Sequence, residues 1–191
     1  MLKAMCDFLV VEDPVTACDL IFVLAGRFER KAYGLKLLEQ GVAPRLILSV
    51  GRSEVRHTAA LLPEGSELIA IRDKTPPAER HFWVDLVGGQ RTIALAKAQK
   101  IGTYEELNAL ASWLALQPPA RIALISTSIH LRRVRYCCSR IPFFTERNVC
   151  LWPVPEQDSS FRRSGWWKRW ADTRYLISEL VKLAGYRLLY H

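Results

Sequence analysis

Short apolar runs recur along the chain, and small or polar residues close each of them. The runs are four or five residues long and do not alternate with polar positions, as is typical of parallel strands buried on both faces of a sheet. The first run, at 20–24, ends at Ala25-Gly26, and the second, at 46–50, ends at Gly51. Further runs predict strands at residues 68–71, 122–125 and 149–152.

Apolar residues at helical spacing fill the intervals between these runs. Leu107, Leu110 and Leu114 recur at steps of three and four residues, and Gly41 follows another such stretch, where a helix is expected to end. Because strands that alternate with helices form βαβ units, the chain is predicted to be α/β. We expect a Rossmann-like open, mostly parallel sheet flanked by helices, in a single domain of residues 1–191. The predicted helices are at residues 30–40, 105–116, 131–140 and 166–183.

Residues 72–102 fit this scheme poorly. The stretch at 82–87 is compatible with a strand or with the start of a helix, and Gly88-Gly89 interrupts whatever precedes it. Residues 92–100 have a helical pattern. The pattern therefore leaves this segment without a defined place in the sheet.

The composition is that of a globular protein. Half of the 191 residues are hydrophobic and 24% are charged, which excludes a disordered tail or a histone-like polycation. No apolar run reaches the ~18–20 residues that cross a bilayer, and the first residues lack the uninterrupted apolar core of a signal peptide. We expect a cytoplasmic protein.

The net charge of +8 indicates anionic partners, and its excess lies in residues 121–191. No recognised DNA- or RNA-binding motif is present, so a nucleic-acid partner is not expected. Some of these basic residues, Arg133 above all, come directly after the fourth predicted strand. The charge therefore favours a small anionic molecule as the ligand.

The five cysteines do not predict a metal site. They are odd in number, and no pair has the C-x-x-C spacing that zinc sites commonly use. We interpret them as buried free thiols, which suit a reducing compartment, and we predict no metal.

The candidate chemistry follows the predicted strands. In an open parallel sheet, ligands bind beyond the carboxyl ends of the strands, where glycines admit backbone N–H groups and arginines offer forked donors to phosphate or carboxylate. An anion pocket is therefore predicted at this edge. The residues that follow the strands and supply it are Gly26, Arg30, Gly51, Glu54, Thr127, Ser128, His130 and Arg133.

Each of these residues also has a structural interpretation. Gly26 and Gly51 suit tight turns, Ser128 suits a helix cap, and His130 suits a structural histidine. No G-x-G-x-x-G motif supports a dinucleotide site, and the absence of G-x-S-x-G disfavours Ser128 as a nucleophile.

A series of short motifs extends along nearly the whole chain in a fixed order. They are Cys18-Asp19 before the first strand, Ala25-Gly26, Arg30, GVAP at 41–44, Ser49-Val50-Gly51, Glu54, Thr103-Tyr104-Glu105-Glu106, TSIHLRR at 127–133, and Glu179, Lys182 and Tyr186 near the end. In this order the motifs resemble those of the bacterial YdcF/SanA/ElyC-like family, known as domain of unknown function 218. Some members of that family carry an N-terminal membrane helix, and this chain is similar to the soluble branch.

The resemblance implies a Rossmann-like domain whose pocket is built from these positions, and it suggests a role in cell-envelope metabolism. For the pocket at the strand ends we expect a small anionic or nucleotide-like ligand such as S-adenosylmethionine. The resemblance implies transfer or hydrolysis on phosphorylated sugars or lipid-linked intermediates as a reaction class. His130 is then the candidate acid or base, with Glu54 and Glu105 as the carboxylates beside it. The resemblance adds Ser49 and Thr103 to the ligand-binding residues predicted above.

The C-terminal segment 160–191 combines tryptophans with basic residues. Trp167, Trp170, Ile177, Val181 and Ala184 recur at helical steps and predict the core-facing stripe of a docking helix. The alternative is an interfacial helix that contacts the inner membrane or an acidic partner. In that case the chain is a non-enzymatic binding or regulatory domain.

Overall fold

The computed structural model describes residues 2–96 and 102–190 as one α/β unit around a six-stranded sheet. The strand order is β4-β3-β2-β1-β5-β6. Strands β2, β1, β5 and β6 pair in parallel, whereas β3 is antiparallel to both β2 and β4. The strands are β1 (Leu20–Val23), β2 (Arg45–Val50), β3 (Phe82–Val87), β4 (Gln90–Leu95), β5 (Arg121–Ser126) and β6 (Asn148–Pro153).

Eight α-helices accompany the sheet in the part of the chain that is described. They are α1 (Leu2–Leu9), α2 (Phe28–Glu39), α3 (Val55–Leu61), α4 (Ser66–Lys74), α5 (Thr103–Leu114), α6 (Leu131–Cys138), α7 (Pro142–Thr145) and α8 (Trp170–Leu189). All four predicted helices are confirmed, with ends that differ by a few residues. Strand β1 separates the two main layers, because Phe22 packs with α5 and α6 while Ile21 and Val23 pack with α2 and α3.

The α/β prediction is confirmed, but the sheet is mixed rather than mostly parallel. The difference lies in the segment 72–102, where β3 and β4 form a hairpin against β2. Gly88 and Gly89 both have positive φ, 56° and 78°, as the tight two-residue turn of a hairpin requires. Residues 92–95 are therefore strand and not helix; residues 97–100 lie outside the described residues.

The strand predicted at 68–71 is wrong, because these residues lie in α4. A four-residue apolar run fits either a strand or a helix, and only its flanking residues and contacts decide between them. Here only Leu68 of the run is fully buried, while Ile69 and Ile71 are half-buried against the second layer. One-sided burial of this kind is typical of an amphipathic helix.

Helix α8 docks on the body of the protein, but not through the predicted stripe. Its buried residues are Asp172, Leu176, Glu179 and Leu183, which pack towards α6 and α1. Trp170 and Val181, predicted to face the core, are 78% and 66% exposed. Trp167, Ile177 and Ala184 are exposed as well. The helical spacing of these residues correctly predicted that α8 has an apolar side. The prediction that this side faces the core was wrong, because it faces outwards.

The five cysteines are free and buried, as predicted. Burial raises the pKa of the Cys18 thiol to about 11 and that of Cys137 to about 12, so neither thiol is a nucleophile near neutral pH. None of the described helices combines the length and the apolar character that a bilayer-spanning segment needs.

Candidate functional site

A cavity of about 500 Å³ opens at the edge of the sheet where β1, β2 and β5 end. Its walls come from the loop after β1, the first turn of α5, the turn between β5 and α6, and the inner side of α8. The charged and titratable residues that line it are Arg27, Arg30, Glu54, His81, Glu106, His130, Arg133, Glu179 and Lys182.

Two carboxylates hold the loop that follows β1. The Ala25 N–H donates to Oε1 of Glu106 at 2.8 Å, and the Gly26 N–H donates to Oε1 of Glu54 at 2.7 Å. The Gly26 N–H is one of the backbone donors that we predicted from the sequence for an anionic ligand. In this structure, side chains of the protein itself already accept from both N–H groups.

Gly26 combines an unusual backbone conformation with a close contact. Its φ of +130° is rarely adopted by residues with a side chain, and a Cβ there would lie 2.7 Å from Nη1 of Arg30. Glycine thus lets the Arg30 guanidinium lie directly against the loop.

Arg30 is only 4% exposed and lines the cavity. Its guanidinium donates to the Ala25 carbonyl, to Oγ1 of Thr127 at 3.1 Å and to the Tyr175 hydroxyl at 3.3 Å. All three acceptors are neutral. Among the described residues, Nε of Arg30 has no hydrogen-bond partner and no carboxylate forms an ion pair with this guanidinium.

Lys31, the next residue, is fully buried beneath the cavity and pairs with Glu54 through Oε2. Burial lowers the pKa of Lys31, and the Glu54 carboxylate opposes that shift. This ion pair was not predicted from the sequence. The sequence did contain one indication that Lys31 is buried. Lys31 lies on the same side of α2 as Gly34 and Leu37, and this is the side that packs against the sheet.

His130 lies at the floor of the cavity and bonds through both ring nitrogens. Nδ1 is 2.6 Å from Oγ of Ser126, and Nε2 is 3.2 Å from Oγ1 of Thr103. Burial, together with the nearby charges of Arg133, Arg30 and Lys182, lowers the pKa of His130 well below its usual range. The imidazole is therefore neutral at physiological pH.

This lowered pKa predicts a loss of stability in mild acid. The unfolded chain binds a proton at His130 near pH 6.5, whereas the folded protein does not. We expect His130 to cost about 1.4 kcal/mol of unfolding free energy per pH unit below pH 6.5. Urea titrations between pH 7 and pH 5 measure this slope.

The control for this prediction is a histidine on the surface. The variant His130→Gln should flatten the slope, and His57→Gln, which changes an exposed residue, should retain it. Equal slopes in all three proteins would contradict a neutral, buried His130.

An ion-pair network closes the side of the cavity next to α8. Arg133 donates to both oxygens of Glu179, at 3.0–3.2 Å, and to the Thr103 hydroxyl. Lys182 binds Glu179 as well, at 3.2 Å, and the Tyr186 hydroxyl accepts from the Thr103 N–H at 2.8 Å. This network fixes the start of α5 and α6 against α8.

The structure brings most of the predicted site residues together. Gly26, Arg30, Glu54, Thr103, His130 and Arg133 line the cavity. Thr127 lies behind Arg30 and accepts its hydrogen bond. The other predicted residues, Ser49, Gly51, Glu105 and Ser128, are not among the lining residues.

These four residues have other surroundings. Ser49 is buried and hydrogen-bonded to His81 at 2.7 Å, and the Gly51 carbonyl accepts from the Glu54 N–H. Glu105 accepts a hydrogen bond from the Tyr190 hydroxyl, while its neighbour Glu106 faces the cavity. Ser128 begins a 3-10 turn, and α6 starts only at Leu131, so Ser128 is not the cap of that helix.

Within residues 2–96 and 102–190, no group of three or more His, Cys, Asp or Glu side chains is placed to hold a metal ion. Comparison of the chain with protein-family models, curated proteins and solved structures gives no match.

Proposed function

We propose that the cavity binds a small anionic molecule, with a phosphate or carboxylate group against Arg30. The observation that carries this proposal is a buried guanidinium at the cavity wall whose described partners are all neutral. A buried charge is costly unless it is paired, and arginine is suited to bind phosphate through two parallel hydrogen bonds. An anionic ligand provides the missing partner.

The other charges around the cavity support this choice. Glu54 is paired with Lys31, and Glu179 is paired with Arg133 and Lys182. Glu106 accepts from the Ala25 N–H, so its carboxylate is also engaged. Glu54 and Glu179 therefore have cationic partners of their own, and neither of them offsets the charge of Arg30.

A nucleotide-like ligand, including S-adenosylmethionine through its carboxylate, agrees with the cavity volume. With a phosphorylated sugar or a lipid-linked envelope intermediate as substrate, His130, being neutral, is the candidate general base of a transfer or hydrolysis. The family resemblance supports this reaction class and a Rossmann-like type of domain. The proposal places the protein in the bacterial cytoplasm, where such metabolites occur and free cysteines stay reduced.

Ligand-induced stabilisation tests the proposal. We expect one member of a panel of nucleotides, S-adenosylmethionine, sugar phosphates and inorganic phosphate to raise the melting temperature by roughly 5–10 °C at about 100 times its Kd. The variant Arg30→Gln should weaken binding of that compound about 10- to 100-fold, because it removes charged hydrogen bonds. Calorimetric titration measures the Kd of each protein.

The matched control is Arg140→Gln, which removes the same charge from an exposed position just beyond the end of α6. It should bind like the wild type. Equal affinity of the Arg30→Gln variant, or no stabilisation by any compound of the panel, would overturn the proposal.

A further inference from the structure

The outer side of α8 carries a continuous apolar stripe. Trp170, Ile177, Val181 and Leu188 lie within about 20° of one line along the helix, at 100° per residue. Their exposed fractions are 78%, 43%, 66% and 75%. The stripe is about 27 Å long at 1.5 Å per residue, which is unusual for a helix side that faces water.

The apolar surface continues beyond the helix at both ends. Before α8, Trp167 is 44% exposed and packs edge-on against the buried Trp166. Near the end of α8, a shallow cleft of about 350 Å³ is lined by Phe8 of α1 together with Leu180, Ala184 and Leu188. Two helices therefore present apolar side chains to the same region.

Along residues 162–190 the exposed charges are of one sign. Residues 162–190 contain seven basic residues and two acids, Asp172 and Glu179. Both acids are buried and paired, with Arg169 and with Arg133. The exposed charged residues of α8 are all basic: Arg174 lies beside the stripe, whereas Arg187 and Lys182 lie farther round the helix.

We propose that the outer side of α8 binds to an anionic membrane surface, with the helix lying in the plane of the interface. An apolar stripe with tryptophan at one end and lysine and arginine beside it is the pattern of interfacial helices. Tryptophan suits the headgroup level, and the basic residues are attracted to anionic lipid phosphates. The proposal does not depend on the ligand proposed for the cavity.

Arg174 distinguishes a membrane from a second copy of the chain. It lies about 40° from the centre of the stripe. A symmetric dimer through this face would bury two such guanidiniums, and α8 offers no exposed acid to pair with them. At a membrane, the long side chain reaches the phosphate layer while its stem contacts the apolar region.

Co-sedimentation of the full chain with vesicles tests this inference. We expect the protein to pellet with phosphatidylcholine–phosphatidylglycerol vesicles, and much less with phosphatidylcholine alone. The variants Lys168→Ala and Arg174→Ala should each weaken binding about fivefold, the effect of one basic residue near an anionic surface. The double variant Ile177→Ser/Val181→Ser should weaken binding more than about tenfold, and added salt should weaken wild-type binding.

The matched control is Val87→Ser/Leu116→Ser, which removes two exposed apolar side chains far along the chain from α8. Its binding should equal that of the wild type. Sedimentation velocity of the lipid-free protein tests the alternative. The inference would be overturned if the protein did not pellet with anionic vesicles. It would also be overturned if the lipid-free protein self-associated, if Ile177→Ser/Val181→Ser abolished that self-association, and if no lipid binding were seen.

Discussion

Replacing Glu179 with alanine is expected to lower the free energy of unfolding by about 3–5 kcal/mol. The reason is Arg133, whose side chain is 9% exposed and which makes three hydrogen bonds to the Glu179 carboxylate. Without that carboxylate a buried guanidinium loses its counter-charge. The loss should exceed that of a surface ion pair, because both side chains are almost entirely buried.

Urea unfolding measures this effect, with Glu67→Ala as its control. Glu67 also pairs with an arginine, Arg91, but its side chain is 55% exposed, so we expect a loss below about 1 kcal/mol. The double variant Arg133→Met/Glu179→Leu removes both charges and should regain most of the lost stability. A double variant as unstable as Glu179→Ala would show that packing, not charge, determines the cost.

The sequence was sufficient to predict the four parallel strands. Each is an apolar run that is buried on both faces, and such a run leaves few alternatives. It was not sufficient for the antiparallel hairpin, since Phe82–Val87 includes Asp85 and lies in a segment without clear periodicity. Asp85 is compatible with a strand because Arg45 pairs with it across β2 and β3. That contact is long-range and leaves no local signal.

The same distinction applies to the site. Gly26, Arg30, His130 and Arg133 were predictable, because topology alone brings the ends of parallel strands to one edge. Glu106 was not, since the motif 103–106 offers two adjacent glutamates and only the rotation of α5 decides which one faces inwards. For helix α8, the side that we predicted to be buried is exposed, and the opposite side is buried. Periodicity identifies an apolar side, but here Leu176, Leu183 and the buried Arg133–Glu179 pair hold the opposite side against the body.

The loop after β1 illustrates how the site is built. Glu54 and Glu106 accept the N–H groups of Gly26 and Ala25, so an incoming anion meets these donors already occupied. Lys31 in turn compensates the charge of Glu54 from below. The carboxylates thus fix the loop, and the anion that we propose as the ligand would be bound by Arg30, which lies directly against Gly26.

Glu54→Gln is expected to lower the unfolding free energy by about 3–5 kcal/mol at pH 7, and the loss should shrink as the pH rises. Glutamine still offers an acceptor to the Gly26 N–H, so the change removes mainly the charge. Lys31, fully buried, then has no carboxylate partner among the described residues. Burial already lowers the pKa of Lys31, and loss of Glu54 lowers that pKa further.

The direction of the pH effect follows from where the proton binds. Between the lowered pKa of Lys31 in the folded protein and its value of about 10.4 in the unfolded chain, the unfolded state binds more protons. Because this pKa is lower in the folded variant than in the folded wild type, the variant starts to gain stability at a lower pH. Its stability relative to the wild type should therefore increase as the pH rises from 7 through the interval between the two folded-state pKa values. Urea titrations across this pH range measure the increase. The control variant Asp73→Asn changes an exposed carboxylate and should show no such increase with pH. The double variant Lys31→Met/Glu54→Gln should lose the increase, because it has no lysine at position 31. If the double variant keeps the trend, the titrating group is not Lys31.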